Sequence, residues 1–321
     1  MPATNKLSPL LSLRPDSDKA RNLAIDMETQ PVTGASVVSS TAAAVAGNSN
    51  HMAVTDLSTA TASAASEQHD GPTAARAVGQ LRILSYNIQA GIRTSRYSDY
   101  VTGSWRQLIP HHQHRDTLRE IARLTSVYDI AGLQEADAGS LRSGFIDQTR
   151  FIAEQAGFGF QYHQSNRRVG NLAHAGNGLM SRWQPSGLAE HALPGAVPGR
   201  GALFSWYELP GITLLTVIVH LSLGQRARAR QLAYLSELLR GHPHVVVMGD
   251  FNASPQSLAV REFAASTRLR LLTEHCQTFP SWQPQRCIDH LLISPSLHAT
   301  QVQVGGQRLS DHLPISSTIH W

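Results

Sequence analysis

Three short clusters set carboxylates beside imidazoles or amides: Gly249-Asp250-Phe251-Asn252, Ile288-Asp289-His290 and Ser310-Asp311-His312-Leu313-Pro314. Each caps or follows a short apolar run, so each is expected at a strand end. Strand ends that face one crevice are where open α/β proteins build sites. Asp250 and Asn252 can flank one reacting centre. The carboxylate handles a proton or orients water, and the amide donates hydrogen bonds to charge developing on a phosphorus-bound oxygen. An imidazole titrates near neutrality and can accept a proton. A carboxylate on its other nitrogen fixes the tautomer and stabilises the imidazolium. Asp289 and His312 are the candidates for that pair. In an extended segment Asp311 points away from its neighbour, which leaves it free to serve a metal while His312 serves water.

Upstream residues add to the set. Asn87 leaves the apolar run that ends Ser85-Tyr86-Asn87, and Glu135 ends a second run at Leu133-Gln134-Glu135. Mg²⁺ needs one or two carboxylates and keeps several waters, which gives Glu135 a use. His220 follows Val217-Ile218-Val219 and can donate to a phosphate oxygen or a leaving oxygen. Each residue has a blander explanation: an Asx turn for Asn87 and for Asp250–Asn252, a solvated Glu, a structural His. The order of the clusters makes the case, because no single member does.

The elements that must position them read as follows. A strand is expected over 81–86, a helix over 115–127, a strand over 128–133 and a helix over 145–156 stopped by Gly157. Short strands follow at 178–180 and 202–207, then an apolar β-branched strand at 212–219. A helix over 224–240 ends at Gly241 and Pro243, and a buried strand at 245–248 is followed by a short helix at 258–265. Strands at 288–293, 299–304 and 314–319 close the chain. Helices alternate with strands early and strands dominate late, which suggests two packed sheets with helices outside, an α/β (α+β) class. Residues 91–112, with Arg93, Arg96, Tyr97, Tyr100, Trp105, His111 and His112, and residues 162–176, with His163 and Arg167, read as loops bordering the crevice. Arg200, in Pro198-Gly199-Arg200-Gly201, is a candidate phosphate contact.

Composition bounds the rest. Of the 321 residues, 1–80 are rich in Ala, Ser, Thr, Gly and Pro and carry 5 basic and 7 acidic side chains. Such a segment cannot bury enough apolar area to offset chain entropy, so it reads as a disordered tail. Residues 81–321 carry 22 basic side chains, all Arg, against 16 acidic ones. That balance fits an anionic substrate, and Arg suits bidentate phosphate contacts, although a GC-rich coding sequence would produce the same bias. Cys276 and Cys287 make neither a disulfide framework nor a zinc site, so a reducing compartment is expected. No run approaches the roughly 18 apolar residues that span a bilayer. The expectation is a cytoplasmic monomer, with peripheral membrane contact allowed.

Taken in order, the segments SYNIQ at 85–89, LQE at 133–135, NGLMSR at 177–182, His220, GDFN at 249–252, IDH at 288–290 and SDHLP at 310–314 resemble the endonuclease/exonuclease/phosphatase superfamily, whose fold is shared with pancreatic deoxyribonuclease. The likeness covers residues 81–321. It implies a four-layer α/β/β/α sandwich of two mixed sheets. It also implies a Mg²⁺ site (Mn²⁺ as a substitute) at Asn87 and Glu135, with Glu135 the principal ligand and Asp311 a further metal-site residue. His312 is implied as general base oriented by Asp289, Asp250 and Asn252 as the pair beside the scissile phosphate, and Asn177 as a substrate contact. His220 stands where nucleases of the deoxyribonuclease type and neutral sphingomyelinases place a histidine. Abasic-site repair endonucleases carry a tyrosine there, which lowers the DNA-repair reading. Within the superfamily the chain resembles a bacterial group of uncharacterised proteins through stretches such as AGLQEADAGSLRSGF and TFPSWQPQRCIDHLLIS. A more distant similarity is to the phosphodiesterase-like part of fungal proteins linked to glycosylphosphatidylinositol remodelling.

The resulting expectation is a metal-dependent hydrolase of a phosphate ester, most simply a phosphodiester, with a lipid headgroup slightly favoured. DNA or RNA, favoured by Arg226, Arg228 and Arg230, is the alternative, followed by a sugar or inositol phosphate. Spacing by two spreads those arginines around a helix rather than along one stripe, which favours a solvated face. A catalytically silent binding module would have lost the Glu, the GDxN pair or the terminal His, and all are present.

Overall fold

A computed structural model describes residues 79–92, 112–169, 173–195 and 199–321. Apart from Gly79 and Gln80, the tail assigned to 1–80 lies outside the described residues, as do Arg93, Arg96, Tyr97, Tyr100, Trp105 and His111. The side chains of His112 and Arg167 do as well.

The strands are β1 Gln80–Asn87, β2 Ile130–Asp137, β3 Phe160–Val169, β4 Ala173–Ser181, β5 Gly187–Ala192 and β6 Gly201–Leu209. They continue with β7 Ile212–His220, β8 Val245–Asp250, β9 Arg270–Leu271, β10 Asp289–Ile293, β11 His298–Val304 and β12 Ile315–His320. The helices are α1 His112–Thr125, α2 Gln148–Ala156, α3 Gln225–Leu238 and α4 Leu258–Thr267. Two six-stranded mixed sheets result, ordered β11-β12-β1-β2-β4-β3 and β5-β6-β7-β8-β10-β9. The parallel contacts are β1 with β2, joined through α1, and β7 with β8, joined through α3. Each βαβ unit has the crossover that parallel pairing demands.

Period-two alternation sorts the side chains between layers. In β8, Val246 and Met248 face the other sheet, packing with Ile218 against Ile83, Ile130 and Leu179. Val245 and Val247 of the same strand face the helices, packing with Leu232, Leu235 and Phe263. On the other side, Leu118, Ile121 and Ile152 cover Leu84, Ala131 and Leu133. The four layers are therefore helices, sheet, sheet and helices, as the resemblance implied.

Some expectations need correction. Residues 162–176 are not a loop: apart from 170–172 they belong to the β3–β4 hairpin. The helix expected from Phe145 begins at Gln148, with Asp147 as its cap accepting from Arg150 N at 3.0 Å, because Gly144 and Phe145 both have positive φ. It does end at Gly157, in the left-handed conformation that glycine adopts without penalty.

Gly249 marks where the second sheet admits no side chain. Its φ is 149°, and a Cβ there would lie 1.9 Å from the carbonyl oxygen of Val219 on the neighbouring strand. No rotamer relieves a clash with backbone. Gly249→Ala is expected to lower unfolding stability by about 1–3 kcal/mol, read as a shift in the urea midpoint. An unchanged midpoint would show that β7 and β8 can separate freely here.

Candidate active site

The two parallel pairs end at the same edge of the sandwich, and the chemistry-bearing residues sit on those ends. Asn87 closes β1, His220 closes β7 and Asp250 closes β8. Asp289 opens β10, which runs antiparallel to β8 with Asp289 directly opposite Asp250. Like charges facing one another across a ladder are destabilising, so this pairing is a structural cost.

Glu135 reaches the same edge by another route. It does not follow β2, as the sequence suggested, but lies within it. Pairing with β4 slips between Leu133 and Ala136, one residue is left over in β2, and Glu135 takes a φ of 57°. Such a bulge re-aims a side chain. Ser310, Asp311 and His312 lie outside any strand, in the bend before β12, and Asp311 and His312 line the same cleft rather than diverging. The cleft has a volume of about 300 Å³, and its walls also include Glu135, Arg200, His220 and Asn252.

The polar contacts join the residues from the two sheets. Asn87 Nδ2 donates to Asp250 Oδ2 at 3.1 Å and reaches Glu135 Oε1 at 3.5 Å. Asn87 Oδ1 accepts from the Gln89 N–H at 3.1 Å, which fixes the amide's orientation. Asn252, at a φ of 50°, donates from its backbone N–H to Asp250 Oδ1 at 2.8 Å and from Nδ2 to Leu221 O at 3.0 Å. His312 Nδ1 donates to Asp289 Oδ2 at 2.9 Å, and the Thr278 hydroxyl donates to the same oxygen. Nε2 of His312 then points toward Asp250, 3.9 Å from its Oδ2. One face of the imidazole packs on Phe279, ring centres 4.9 Å apart.

Electrostatics follow from crowding charge in a cleft where Asp250 and His312 are buried and the Glu135 side chain stays 38% exposed. Burial raises the Glu135 carboxyl above its ordinary value, and the Asp311 charge raises it further, against the pull of His312 and Arg200. Burial likewise raises Asp250, with Asp289 and Glu135 adding to it and His312 opposing. Burial alone would depress His312. The Asp289 charge and hydrogen bond outweigh it, helped by Asp250 and Asp311, and push it up to about 10. His220 moves the other way: burial, then the charges of Arg200 and His312, hold it well below the usual imidazole range. Arg200 Nη1 lies 2.8 Å from His220 Nδ1 and 2.6 Å from Nε2, a donor that only a neutral imidazole can accept.

Cation binding fits this site. Donor atoms of Asp250, Asp289 and His312 lie within 4.8 Å of one another. The oxygens of Asp289, however, are occupied by His312 and Thr278. Glu135 and Asp311 line the same cleft as Asp250 and add carboxylate oxygens of the kind a hard divalent ion prefers, while Asn87 turns its Nδ2 donor toward Glu135 and Asp250. Burial, and after it the neighbouring carboxylate charges, raises the carboxyls of Glu135 and Asp250, and a bound cation would act against both.

Some candidates are not brought here. Asn177 is fully buried between strands, and its Nδ2 donates to Gln164 Oε1 at 2.9 Å and Gly201 O at 3.0 Å, so it ties the sheets together beneath Arg200 instead of lining the cleft. His163 packs against α2, with Nδ1 3.2 Å from the Thr149 hydroxyl, and does not line it either. His290 is structural: Nε2 donates to Ala253 O at 2.8 Å, and burial lowers the ring to about 4. The sequence reading missed Gln89, Phe279 and Arg286, which line the cleft. Phe279 and Arg286 fall in the stretch that carries the bacterial likeness, but nothing in their spacing marks them as functional.

A two-sheet sandwich with an Asp–His pair and clustered carboxylates at one edge defines a hydrolase of the phosphate-ester class. The sequence profile of the endonuclease/exonuclease/phosphatase family matches residues 84–312, and the chain belongs to that family. Solved structures of similar fold include an endonuclease/exonuclease/phosphatase protein from Beutenbergia cavernae (18% identity, TM-score 0.60, covering 75% of this chain and 72% of that one). A mannosyl-6-phosphatase from Bacteroides thetaiotaomicron is similar at 19% identity (TM-score 0.53, covering 75% and 100%). The human Nocturnin catalytic domain with bound sulfate is similar at 18% (TM-score 0.57, covering 75% and 93%). A search of curated proteins returned no match. No helix among the described residues is long and apolar enough to cross a membrane.

The His312 shift fixes a pH dependence. A folded-state value of about 10, above the ordinary 6.5, means that the charged ring stabilises the fold. That contribution is complete below pH 6.5 and is lost as pH rises through 10. Asp250, also raised, contributes with the same sign at lower pH. Urea midpoints of the protein in EDTA should therefore fall between pH 6 and pH 10, and Asp289→Asn should flatten the fall. A slope identical in the two proteins would mean that Asp289 does not hold the charge on His312.

Proposed function

We propose that the protein is a divalent-metal-dependent phosphodiesterase in which His312, oriented by Asp289, takes a proton from the attacking water. The carrying observation is the 2.9 Å contact of His312 Nδ1 with Asp289, which turns Nε2 into the cleft that Glu135, Asp250 and Asp311 share. Glu135, with Asp311, would hold the cation, and Asn87, whose Nδ2 faces Glu135 and Asp250, would hold those carboxylates in place. When bound, a divalent ion supplies positive charge to phosphate oxygens and to the leaving oxygen. Asp289, then Asp250 and Asp311, hold the proton on His312, and positive charge beside Asp250 and Asp311 would loosen that hold in the direction a general base requires.

The remaining residues follow from their positions. Neutral His220 and the Arg200 guanidinium face the cleft together and suit an anionic non-bridging oxygen. Asn252 donates toward Asp250 and Leu221 and stands in the same wall, beside the expected site of the phosphorus. Asp250, its carboxyl raised toward neutrality, can position the water or carry its proton. Water attacks in line, and no covalent enzyme intermediate is needed. The polar walls suit the headgroup side of a phosphodiester, and exposed Leu223 on the rim suits a more apolar partner on the other side.

Purified protein should hydrolyse bis(p-nitrophenyl) phosphate with Mg²⁺ or Mn²⁺ and stop in EDTA. His312→Ala should lower kcat by about 10²–10⁴-fold, the usual share of a general base. Parallel assays on plasmid DNA, RNA and phospholipid vesicles identify the substrate side. Wild-type turnover by the His312 variant, or unaltered activity in EDTA, would defeat the mechanism.

A further inference from the structure

Past Asn252 and Ile288 the cleft opens into a second hollow of about 580 Å³. Arg286 stands in the wall of both, and Arg228 lines the second alone. Of the three arginines spaced along α3, Arg226 and Arg230 are exposed, whereas Arg228 is half-buried and turned toward this hollow. Its Nη1 donates to Ser222 O at 3.2 Å and also to Leu223 O, which holds the guanidinium in place. Arg286 lies over the Phe279 ring, 5.4 Å from its centre, and so is tied to the ring that packs on His312.

Neither arginine forms an ion pair with a carboxylate among the described residues. Glu274 also lines the hollow and pairs with neither. Burial lowers Arg228, the charge of the exposed Arg286 lowers it further, and the Asp250 charge pulls the other way, so the two cations face one another across the hollow with partial compensation from Asp250. An anion between them would relieve that repulsion and take charge-assisted hydrogen bonds from both. Ser257, the N-cap of the ten-residue α4, lines the same hollow and adds the positive end of that helix. The rest of the wall is amide-rich, with Gln256, Gln277 and Gln285, and suits hydroxyl groups.

The geometry points to a subsite for a second phosphate, held by Arg228 and Arg286, so that the substrate is a phosphate ester of a small polyol or sugar carrying a further phosphate. This rests on the reading of the adjoining cleft as the hydrolytic site. A single-stranded nucleic acid is the poorer fit. It needs stacking platforms and a basic track, and this hollow offers two arginines and no Trp, Tyr or Phe.

The test uses fructose 1,6-bisphosphate and fructose 6-phosphate as probes, titrated calorimetrically into the full chain with Mg²⁺ in the His312→Ala background. The bisphosphate should bind about tenfold more tightly, the worth of one charged hydrogen-bonded contact. Adding Arg228→Gln should erase the difference and leave fructose 6-phosphate affinity unchanged, and Arg228→Lys should restore most of it. Arg228→Gln alone should hydrolyse bis(p-nitrophenyl) phosphate within about twofold of wild type, which also reports that it folds. Faster headgroup release from vesicles containing phosphatidylinositol 4-phosphate than from phosphatidylinositol vesicles, lost in Arg228→Gln, would assign a lipid source. The soluble preference without vesicle turnover would assign a water-soluble one. Equal affinity for the two sugars overturns the subsite. So does equal weakening of both by Arg228→Gln, or Arg228-dependent binding of an oligonucleotide in place of the bisphosphate. If the preference holds but wild type fails to cleave bis(p-nitrophenyl) phosphate, the hydrolytic reading fails by itself.

Discussion

Carboxylate crowding at one end of the inter-sheet gap is the constraint around which this protein is built. Glu135, Asp250, Asp289 and Asp311 converge at one cleft, all but Glu135 buried, and Asp250 and Asp289 oppose one another across a single ladder. Within the protein the main answer to that charge is His312, which is why its proton is held so firmly. The arrangement costs stability and gains chemistry. A site poised to accept a cation has to be short of positive charge before the cation arrives.

The scaffold tolerates this because its strands fix the charges independently of one another. Each sheet contributes one parallel pair, and a parallel pair brings two carboxyl ends to one edge. The hydrophobic side chains between the sheets, among them Ile83, Ile130, Ile218 and Met248, hold the two edges in register. Repulsion at the rim is thus carried by apolar packing many ångströms below it. Arg200 and His220 add a cationic–neutral pair, with His220 Nε2 itself 3.5 Å from Asp250 Oδ2 and 3.8 Å from Glu135 Oε1, so the cation of the pair stands just behind the carboxylates.

Much of this could be read from residue order. The apolar runs before His220 and Asp250 named their strands, and a polar residue ending such a run has few places to go except the edge. Only part of the β3–β4 hairpin was legible, as the strand expected over 178–180, where Leu179 packs into the core; farther along, Gln164 and Asn177 satisfy backbone carbonyls of the opposite sheet instead of packing as aliphatics. A polar strand of that kind carries no alternating signal. Spacing showed that the arginines of α3 must disperse, and it could not show which one would face the site, since that depends on how the helix docks. Phe279 and Arg286 sit in a turn-rich segment whose path is set by tertiary contacts alone.

The single surplus residue in β2 has a wider meaning. Leu133 and Ala136 both pack toward the helices, three positions apart where a regular strand would allow two. Had the strand run evenly, residue 135 would have joined that greasy layer and would not reach the cleft. Deleting one residue from this stretch would therefore do more than shorten a strand: it would turn the position that now opens to the cleft back beneath the helices.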